Sequence, residues 1–427
     1  MKILCSGDIH IGRRSSRVPE GLDSARFSTA AAWDSIVDVA LRERVDLLAL
    51  SGDVVDRANR YFEAFGPLER GLRRLAEAGI DTIAVAGNHD FDVLPLLKRG
   101  AAGERLHLLG QGGQWERRTI LSGGDAVLHV DGWSFPSQQV RFNPLASYPI
   151  GPDDGLPVLG LLHADLDQPG SVYAPVTLAD LGRQRVALWL LGHIHHPSIR
   201  HISGVTLMYP GSPQGMDPGE TGPHGPWLVE LLPGRAPEAR QFPTARVRYE
   251  PLAIDVSDVE DQDALLNTVT SAAQIHLTEV AAAGGDLECV AFRVTVTGRT
   301  PIHRDVAEHL KHLPGDLSLH AGHVQGFVEK LSLDTRPALS LDELSRRNDP
   351  PGALARTLSA LEANDDAEAC RRLIDDTLAR LRTVERHAVY AGIADVGTLD
   401  RAVAREHLLR EGYQLLDTLV AQRERAS

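Results

Sequence analysis

Residues 2–12 read Lys2-Ile3-Leu4-Cys5-Ser6-Gly7-Asp8-Ile9-His10-Ile11-Gly12, a short apolar run that leads straight into an aspartate and a histidine two positions apart. Lys2–Cys5 has the length and composition of a buried strand. In extended chain, residues i and i+2 point to the same side, so Asp8 and His10 can face one ion together. The same pattern recurs. Leu47–Ser51 ends in Gly52-Asp53-Val54-Val55-Asp56-Arg57, and Thr82–Ala86 ends in Gly87-Asn88-His89-Asp90. Pro157–His163 closes on His163, and Val186–Leu191 leads into Gly192-His193-Ile194-His195. Helical periodicity covers Ser28–Arg44, with Trp33, Ile36, Val37, Ala40 and Leu41 on one face, and Phe62–Ala78. This βαβαβ alternation predicts parallel strands in an α/β sheet, with polar residues just past the strands' carboxyl ends, where such sheets place their sites.

Carboxylate, amide and imidazole groups gathered at strand ends suit phosphoester hydrolysis. That reaction needs an activated water and neutralised phosphoryl oxygens, and two divalent ions about 3.5–4 Å apart supply both. A carboxylate with two oxygens suits a bridge between the ions, and Asp53 is the natural candidate. The other donors are Asp8, His10, Asn88, His163, His193 and His195. Oxygen and imidazole nitrogen without thiolate suit manganese, iron or zinc better than calcium. A protonated group must assist the leaving oxygen; His89 stands beside Asn88 and is spare for that task, and Asp56 can orient and charge it. The glycines before Asp53, Asn88 and His193 let the backbone turn and approach closely. Read singly, each segment has an ordinary account: a loop pair, a turn, a core histidine, a surface residue. Their joint occurrence at successive strand ends is what points to a metal centre. His107, His196, His201 and His224 are read as structural or surface residues.

The chain has 427 residues, 43% of them hydrophobic, which predicts two or three domains and a sizeable core. A net charge of -14 argues against avid, unaided DNA binding but leaves room for a local basic patch. Arg13, Arg14 and Arg17, with Arg57 and Arg60, are candidates for such a rim. Cys5, Cys289 and Cys370 are too few and too scattered for a disulfide framework. No signal peptide is read and no run of about 18 apolar residues appears, so the expectation is a cytoplasmic protein without a membrane span.

Three regions follow. Residues 1–240 form the core, with a hairpin at His201–Met208 and a Gly/Pro-rich loop at Gly211–Gly225. Residues 241–338 form a smaller α+β unit with strands at Arg246–Val256, Leu287–Thr297 and Val324–Leu333 and helices at Gln262–Ala283 and Asp305–His312. Residues 339–427 are polar and helical, too polar for a large core of their own, with an apolar stripe of Leu408, Leu409, Leu415, Leu416, Leu419 and Val420.

The five segments resemble the calcineurin-like metallophosphoesterase superfamily. Gly7-Asp8-Ile9-His10-Ile11-Gly12 and the ordered set up to Gly192-His193-Ile194-His195 are similar to its nuclease branch, which holds the bacterial SbcD and YhaO proteins and the meiotic-recombination nucleases. Tyr209-Pro210-Gly211-Ser212-Pro213-Gln214-Gly215, followed by Glu220-Thr221-Gly222 and Gly225, most resembles the YhaO-like subgroup, as do Ser134-Phe135-Pro136 and Thr297-Gly298-Arg299-Thr300-Pro301. The motif match covers about residues 1–232, with weaker similarity to about 335. The resemblance implies a four-layer α/β sandwich with an α+β capping domain and a helical tail. It implies Asp8, His10, Asp53 and His195 on one ion, Asp53, Asn88, His163 and His193 on the other, and His89 as the catalytic histidine. It further implies manganese, a homodimer, a DNA substrate and a tail that docks on an SMC-like ABC ATPase. Asp56-Arg57 departs from the nuclease pattern and is similar to the protein phosphatase branch, although that branch continues with Gly where Ala58 stands and carries Glu where Asp90 stands. The leading expectation is therefore a manganese-dependent DNA nuclease of DNA repair. A phosphomonoesterase or protein phosphatase is the alternative, and a non-catalytic scaffold is the third.

Overall fold

Ile3 and Cys5 face one way from the first strand and Leu4 the other, and this alternation builds the layers of the fold. The computed structural model describes residues 1–13, 24–57, 62–97, 105–149, 154–338, 340–363, 367–385 and 399–426. The chain divides into two compact units, one of Met1–Pro251, Gln274–Arg293 and Ser318–Glu329, the other of Leu252–Ala273, Val294–Leu317 and Lys330–Ser427.

The first unit opens with β1 (Lys2–Ser6), α1 (Thr29–Glu43), β2 (Leu47–Leu50), α2 (Phe62–Glu77), β3 (Asp81–Ala84), α3 (Leu94–Leu97) and β4 (Leu106–Leu108). Next come β5 (Glu116–Ser122), β6 (Asp125–Trp133), β7 (Val158–His163), α4 (Leu178–Gly182), β8 (Leu188–Gly192), β9 (Ser198–Ile202), β10 (Val205–Tyr209), β11 (Trp227–Glu230) and β12 (Glu238–Gln241). Two six-stranded sheets result, in the orders β12-β11-β1-β2-β3-β4 and β5-β6-β7-β8-β10-β9. The expected parallel pairing holds for β1 with β2 and β2 with β3, and β6 with β7 and β7 with β8 are parallel as well. The expected hairpin is β9–β10, turning at Ser203 and Gly204, both at positive φ.

The two-residue period sorts each strand between cores. Ile3, Cys5, Leu47, Ala49 and Ile83 share one buried cluster with Leu159, Leu161, Leu188, Leu190 and Met208, so the inner faces of the two sheets pack together. Leu4, Leu48, Leu50 and Ala84 face outward into a cluster with Trp33, Ile36, Leu68, Leu72 and Leu75 of the helices. Val158, Leu162, Trp189 and Leu191 face the opposite way, into a cluster with Phe135, Leu145, Ala174 and Leu181. The result is the expected four-layer arrangement. α1 starts on Ser28, whose hydroxyl accepts from the Ala31 N–H at 3.2 Å, and ends on Arg44 in the left-handed region. Trp33 lies flat on Gly71 of α2, where any side chain would strike the indole.

Four further strands, β13 (Val247–Asp255), β14 (Cys289–Thr300), β15 (Ser318–Ala321) and β16 (Val324–Pro337), form a third sheet in the order β13-β14-β16-β15. The helices here are α5 (Gln262–Ala282), α6 (Val306–Leu310) and α7 (Leu313–Asp316). The second unit ends in α8 (Leu341–Ser345), α9 (Pro350–Glu362), α10 (Glu368–Glu385) and α11 (Arg401–Ala426). The expected helical tail is present, and its helices share a small apolar cluster. Leu341, Leu344, Ala355, Leu358, Leu361, Cys370, Leu409, Tyr413 and Leu416 bury one another. The stripe differs from the sequence reading: Leu415 is 52% exposed, and Tyr413 joins Leu409 and Leu416 on the buried face. Arg299 lies over the Tyr413 ring at 4.2 Å, and Arg304 grips Asp417 with two bonds of 2.9 Å. Among the described residues no helix is long and apolar enough to cross a membrane.

Candidate metal centre

β1, β2, β3, β7 and β8 all end on one rim, and eight of the nine predicted side chains, all but His193, converge there. The loops after β1 and β2 run side by side: the Asp8 N–H donates to the Gly52 carbonyl at 3.0 Å and the His10 N–H to the Asp53 carbonyl at 3.0 Å. Asp8, His10 and Asp53 have φ of 49°, 50° and 49°, and His193 has 97°. Asp8 and His10 are thus in left-handed rather than extended backbone, and they meet because the loop turns at both residues. Such a conformation costs a non-glycine residue about 1–3 kcal/mol and persists where the surroundings over-determine it. Gly87 permits the closest approach, since a Cβ there would strike the Asp53 carboxylate.

Among the described residues, three groups each bring their potential ligand atoms within 4.8 Å: Asp8–His10–His195, Asp8–Asp53–His163 and His10–Asp56–His89. The His163 Nδ1 donates to the Ser51 carbonyl at 3.1 Å, so its proton is fixed there. Its Nε2 then faces Asn88 Oδ1 at 3.0 Å and Asp53 Oδ2 at 3.4 Å. The His195 Nδ1 donates to Glu220 Oε1 at 2.8 Å, and its Nε2 faces the His10 Nε2 at 3.2 Å. The Nε2 atoms of His163 and His195 are thus left facing other polar atoms of the centre, an arrangement that a proton or a cation satisfies. Ligand histidines elsewhere hold their second ring nitrogen in this way, so the donor set fits divalent ions. His193 stands apart from these groups. Its backbone N–H donates to both Asp8 oxygens, at 2.9 and 3.1 Å, while its ring lies 5.3 Å from that of His163 and its Nε2 3.9 Å from Asp165.

The electrostatics follow from crowding in a buried place. Burial disfavours the charged form of Asp53, but His163, His10 and His89 outweigh it and hold the carboxyl far below its usual range. Burial likewise works against a charged His163, yet Asp53 and Asp8 raise it to about 9. Burial and His163 push His193 down to about 3, which keeps its ring neutral. Burial raises Asp8 despite its histidine neighbours. Asp56 is the hinge between ligand and acid candidates: its Oδ2 lies 3.5 Å from His10 Nδ1 and 3.8 Å from His89 Nδ1. Burial lowers His89, with Asp53 and Asp56 working against it. Its side chain is 34% exposed, against 2% for His10, 0% for His163, 20% for His193 and 22% for His195, so His89 is the most open of these imidazoles to a substrate.

Two residues matter that the sequence reading passed over. Asp90 is fully buried and accepts from the N–H groups of Val54 at 2.7 Å and Gly87 at 2.8 Å, so it ties the loop after β3 to the loop after β2. Burial and Asp53 push it up to about 7. Glu220 holds His195 from within the Gly/Pro-rich loop. The tetrapeptide Gly87–Asp90 signalled the first; nothing but its place in a motif signalled the second. Of the expected basic rim, Arg13 is ion-paired with Asp217, and Arg14, Arg17 and Arg60 lie outside the described residues.

Residues 1–197 match the family described as calcineurin-like phosphoesterase, and residues 249–336 match the middle domain of the metallophosphoesterase YhaO. YhaO of Bacillus subtilis is 30% identical over 60% of this chain and 62% of its own length, so the match spans less than two thirds of that relative. The DNA double-strand break repair protein Mre11 of Aeropyrum pernix is 26% identical over 74% of this chain and 78% of its own. Mre11 of Haloferax volcanii is 28% identical over 54% and 50%. The matched family agrees with the resemblance read from the motifs.

Proposed function

We propose that this chain, which carries a calcineurin-like phosphoesterase domain followed by a YhaO-type middle domain, is a two-metal phosphodiesterase that cleaves DNA. The observation that carries the reading is the convergence of potential ligand atoms: His195 Nε2 on His10 Nε2 at 3.2 Å, and His163 Nε2 on Asn88 and Asp53 at 3.0 and 3.4 Å. Asp8, His10, Asp53 and His195 would hold one ion and Asp53, Asn88, His163 and His193 the other, with Asp53 shared. Manganese suits the donor set. When bound, the ions neutralise the phosphoryl oxygens and activate the attacking water. His89 gives its proton to the leaving oxygen, while Asp56 steadies the charged ring from the Nδ1 side.

The kinship with Mre11 proteins, which are named for DNA double-strand break repair, supports DNA as substrate and repair as setting. In this reading residues 1–240 are the nuclease core, 241–338 a capping unit and 339–427 a helical segment. A homodimer in the cytoplasm, working with an SMC-like ATPase, completes the proposal. Asp56 beside His89 also suits a phosphomonoesterase or protein phosphatase. End-labelled single- and double-stranded DNA, incubated with Mn²⁺ beside a small phosphomonoester, separates the two. Cleavage of DNA with the monoester left intact supports the nuclease; the reverse result establishes the phosphatase.

A further inference from the structure

The loop between β10 and β11 carries a carboxylate with no place among the ligands or the acid. Glu220 is 9% exposed, and both its oxygens are engaged. Oε1 accepts from His195 Nδ1 at 2.8 Å; Oε2 accepts from the Ser212 hydroxyl at 2.7 Å and the Met216 N–H at 3.0 Å. The loop is strapped down around it. The Ser212 N–H donates to the His195 carbonyl at 3.0 Å and the Gly222 N–H to the Tyr249 carbonyl at 3.1 Å. The Gln214 side chain donates to the Val247 carbonyl at 3.1 Å and accepts from the Arg246 N–H at 2.9 Å. The carboxylate cannot swing away from His195 without breaking bonds at its other oxygen.

We propose that Glu220 is a positioning residue for metal binding: it holds neutral His195 in the tautomer protonated on Nδ1, so that the Nε2 lone pair faces His10 and the ion space. The inference rests on the two-ion reading above. A carboxylate in this role fixes both the ring's orientation and its tautomer, and losing such a partner typically weakens metal binding about 10–100-fold.

The sharpest variant is Glu220→Gln. The Met216 N–H can only donate, so the amide must turn its oxygen that way. Its NH₂ then faces His195 Nδ1 and can only donate to it, which moves the ring proton to Nε2 and blocks the ligand atom. A glutamate needed only for packing or for loop structure would tolerate this near-isosteric change. The test is calorimetric titration of Mn²⁺ into the ion-free full chain, with the ¹⁵N shifts of the His195 ring recorded at a pH where the ring is neutral. The expected result is a 10–100-fold weaker site in Glu220→Gln, at least as large a loss as in Glu220→Ala, with folding retained. Wild-type affinity at both sites in Glu220→Gln overturns the proposal. Should that variant not fold, the wild-type ring decides: a proton on Nδ1 supports the assignment, and a proton on Nε2 overturns it. A wild-type chain that takes up no ion but keeps the Nδ1 tautomer refutes the two-ion reading, and with it a metal-binding role for Glu220.

Discussion

The Nε2 atoms of His10 and His195 face each other at 3.2 Å across 185 residues of sequence. Glu220 fixes the proton of His195 on the far nitrogen, so the near nitrogen offers a lone pair that a proton on His10 or a bound cation satisfies. Asp53 reaches both halves of the centre, 3.8 Å from His10 Nε2 and 3.4 Å from His163 Nε2. Asp53→Ala is therefore expected to lower occupancy of both ion positions, where a carboxylate serving one ion would empty one. Metal analysis of the purified variant reads this directly, and two ions at full occupancy in Asp53→Ala would end the bridging assignment.

His89 is expected to behave differently. It lies next to Asn88 but is a third exposed and outside the His10–His195 and His163–Asn88 pairs. His89→Ala should keep both ions and lose about 10²–10⁴-fold in rate, the range for a positioned general acid. Asp56→Asn should lose less in the same direction, since it removes the partner of the ring and not the ring. Turnover of a small phosphodiester at saturating Mn²⁺ checks both, and wild-type turnover by His89→Ala removes the role.

Much of this was legible because burial and chemistry left separate marks. β1, β2, β3, β7 and β8 are apolar on both faces, since each sheet is covered on both sides, and unbroken apolar runs ending in Asp, Asn or His stand out. β5 did not stand out: Glu116–Ser122 is an edge strand with no buried residue, so its polar sequence carries no alternation. The tail stripe was misread for a related reason. Spacing alone cannot tell which leucines of Leu415, Leu416 and Leu419 meet α9, and the buried face is set by Gly412 lying on Leu358. Glu220 was invisible as an orienting group because its partner lies 25 residues away in sequence.

Asp90 supplies a prediction about stability. Its carboxylate satisfies the buried N–H groups of Val54 and Gly87, and each such group left without a partner costs about 1–3 kcal/mol. Asp90→Ala is expected to lose about 2–6 kcal/mol on that basis and to loosen the loop that carries Asn88. Denaturant unfolding of the ion-free chain measures the first effect. A loss below about 1 kcal/mol would mean that water or neighbouring groups take over the two N–H donors.

The tail offers a contrast within one helix turn. Leu416 is fully buried among Leu358, Leu361 and Tyr413, whereas Leu415 beside it is 52% exposed. Truncating a buried leucine to alanine removes transfer free energy and leaves a cavity, about 2–5 kcal/mol together; an exposed site usually changes stability by no more than about 0.5 kcal/mol. Leu416→Ala should therefore destabilise the helices after residue 340 while Leu415→Ala leaves them unchanged, as read by hydrogen exchange of α9 and α11 amides. Tyr413→Ala should resemble Leu416→Ala, with the added loss of the Arg299 contact at 4.2 Å and of its bond to Glu362 at 2.8 Å. If an ATPase docks on this segment, its contact must use exposed residues such as Leu415, because the face holding Leu409, Tyr413 and Leu416 is occupied by the chain's own core. Equal and large destabilisation by Leu415→Ala and Leu416→Ala would mean that α11 is covered on both faces, and no free surface would remain for a partner.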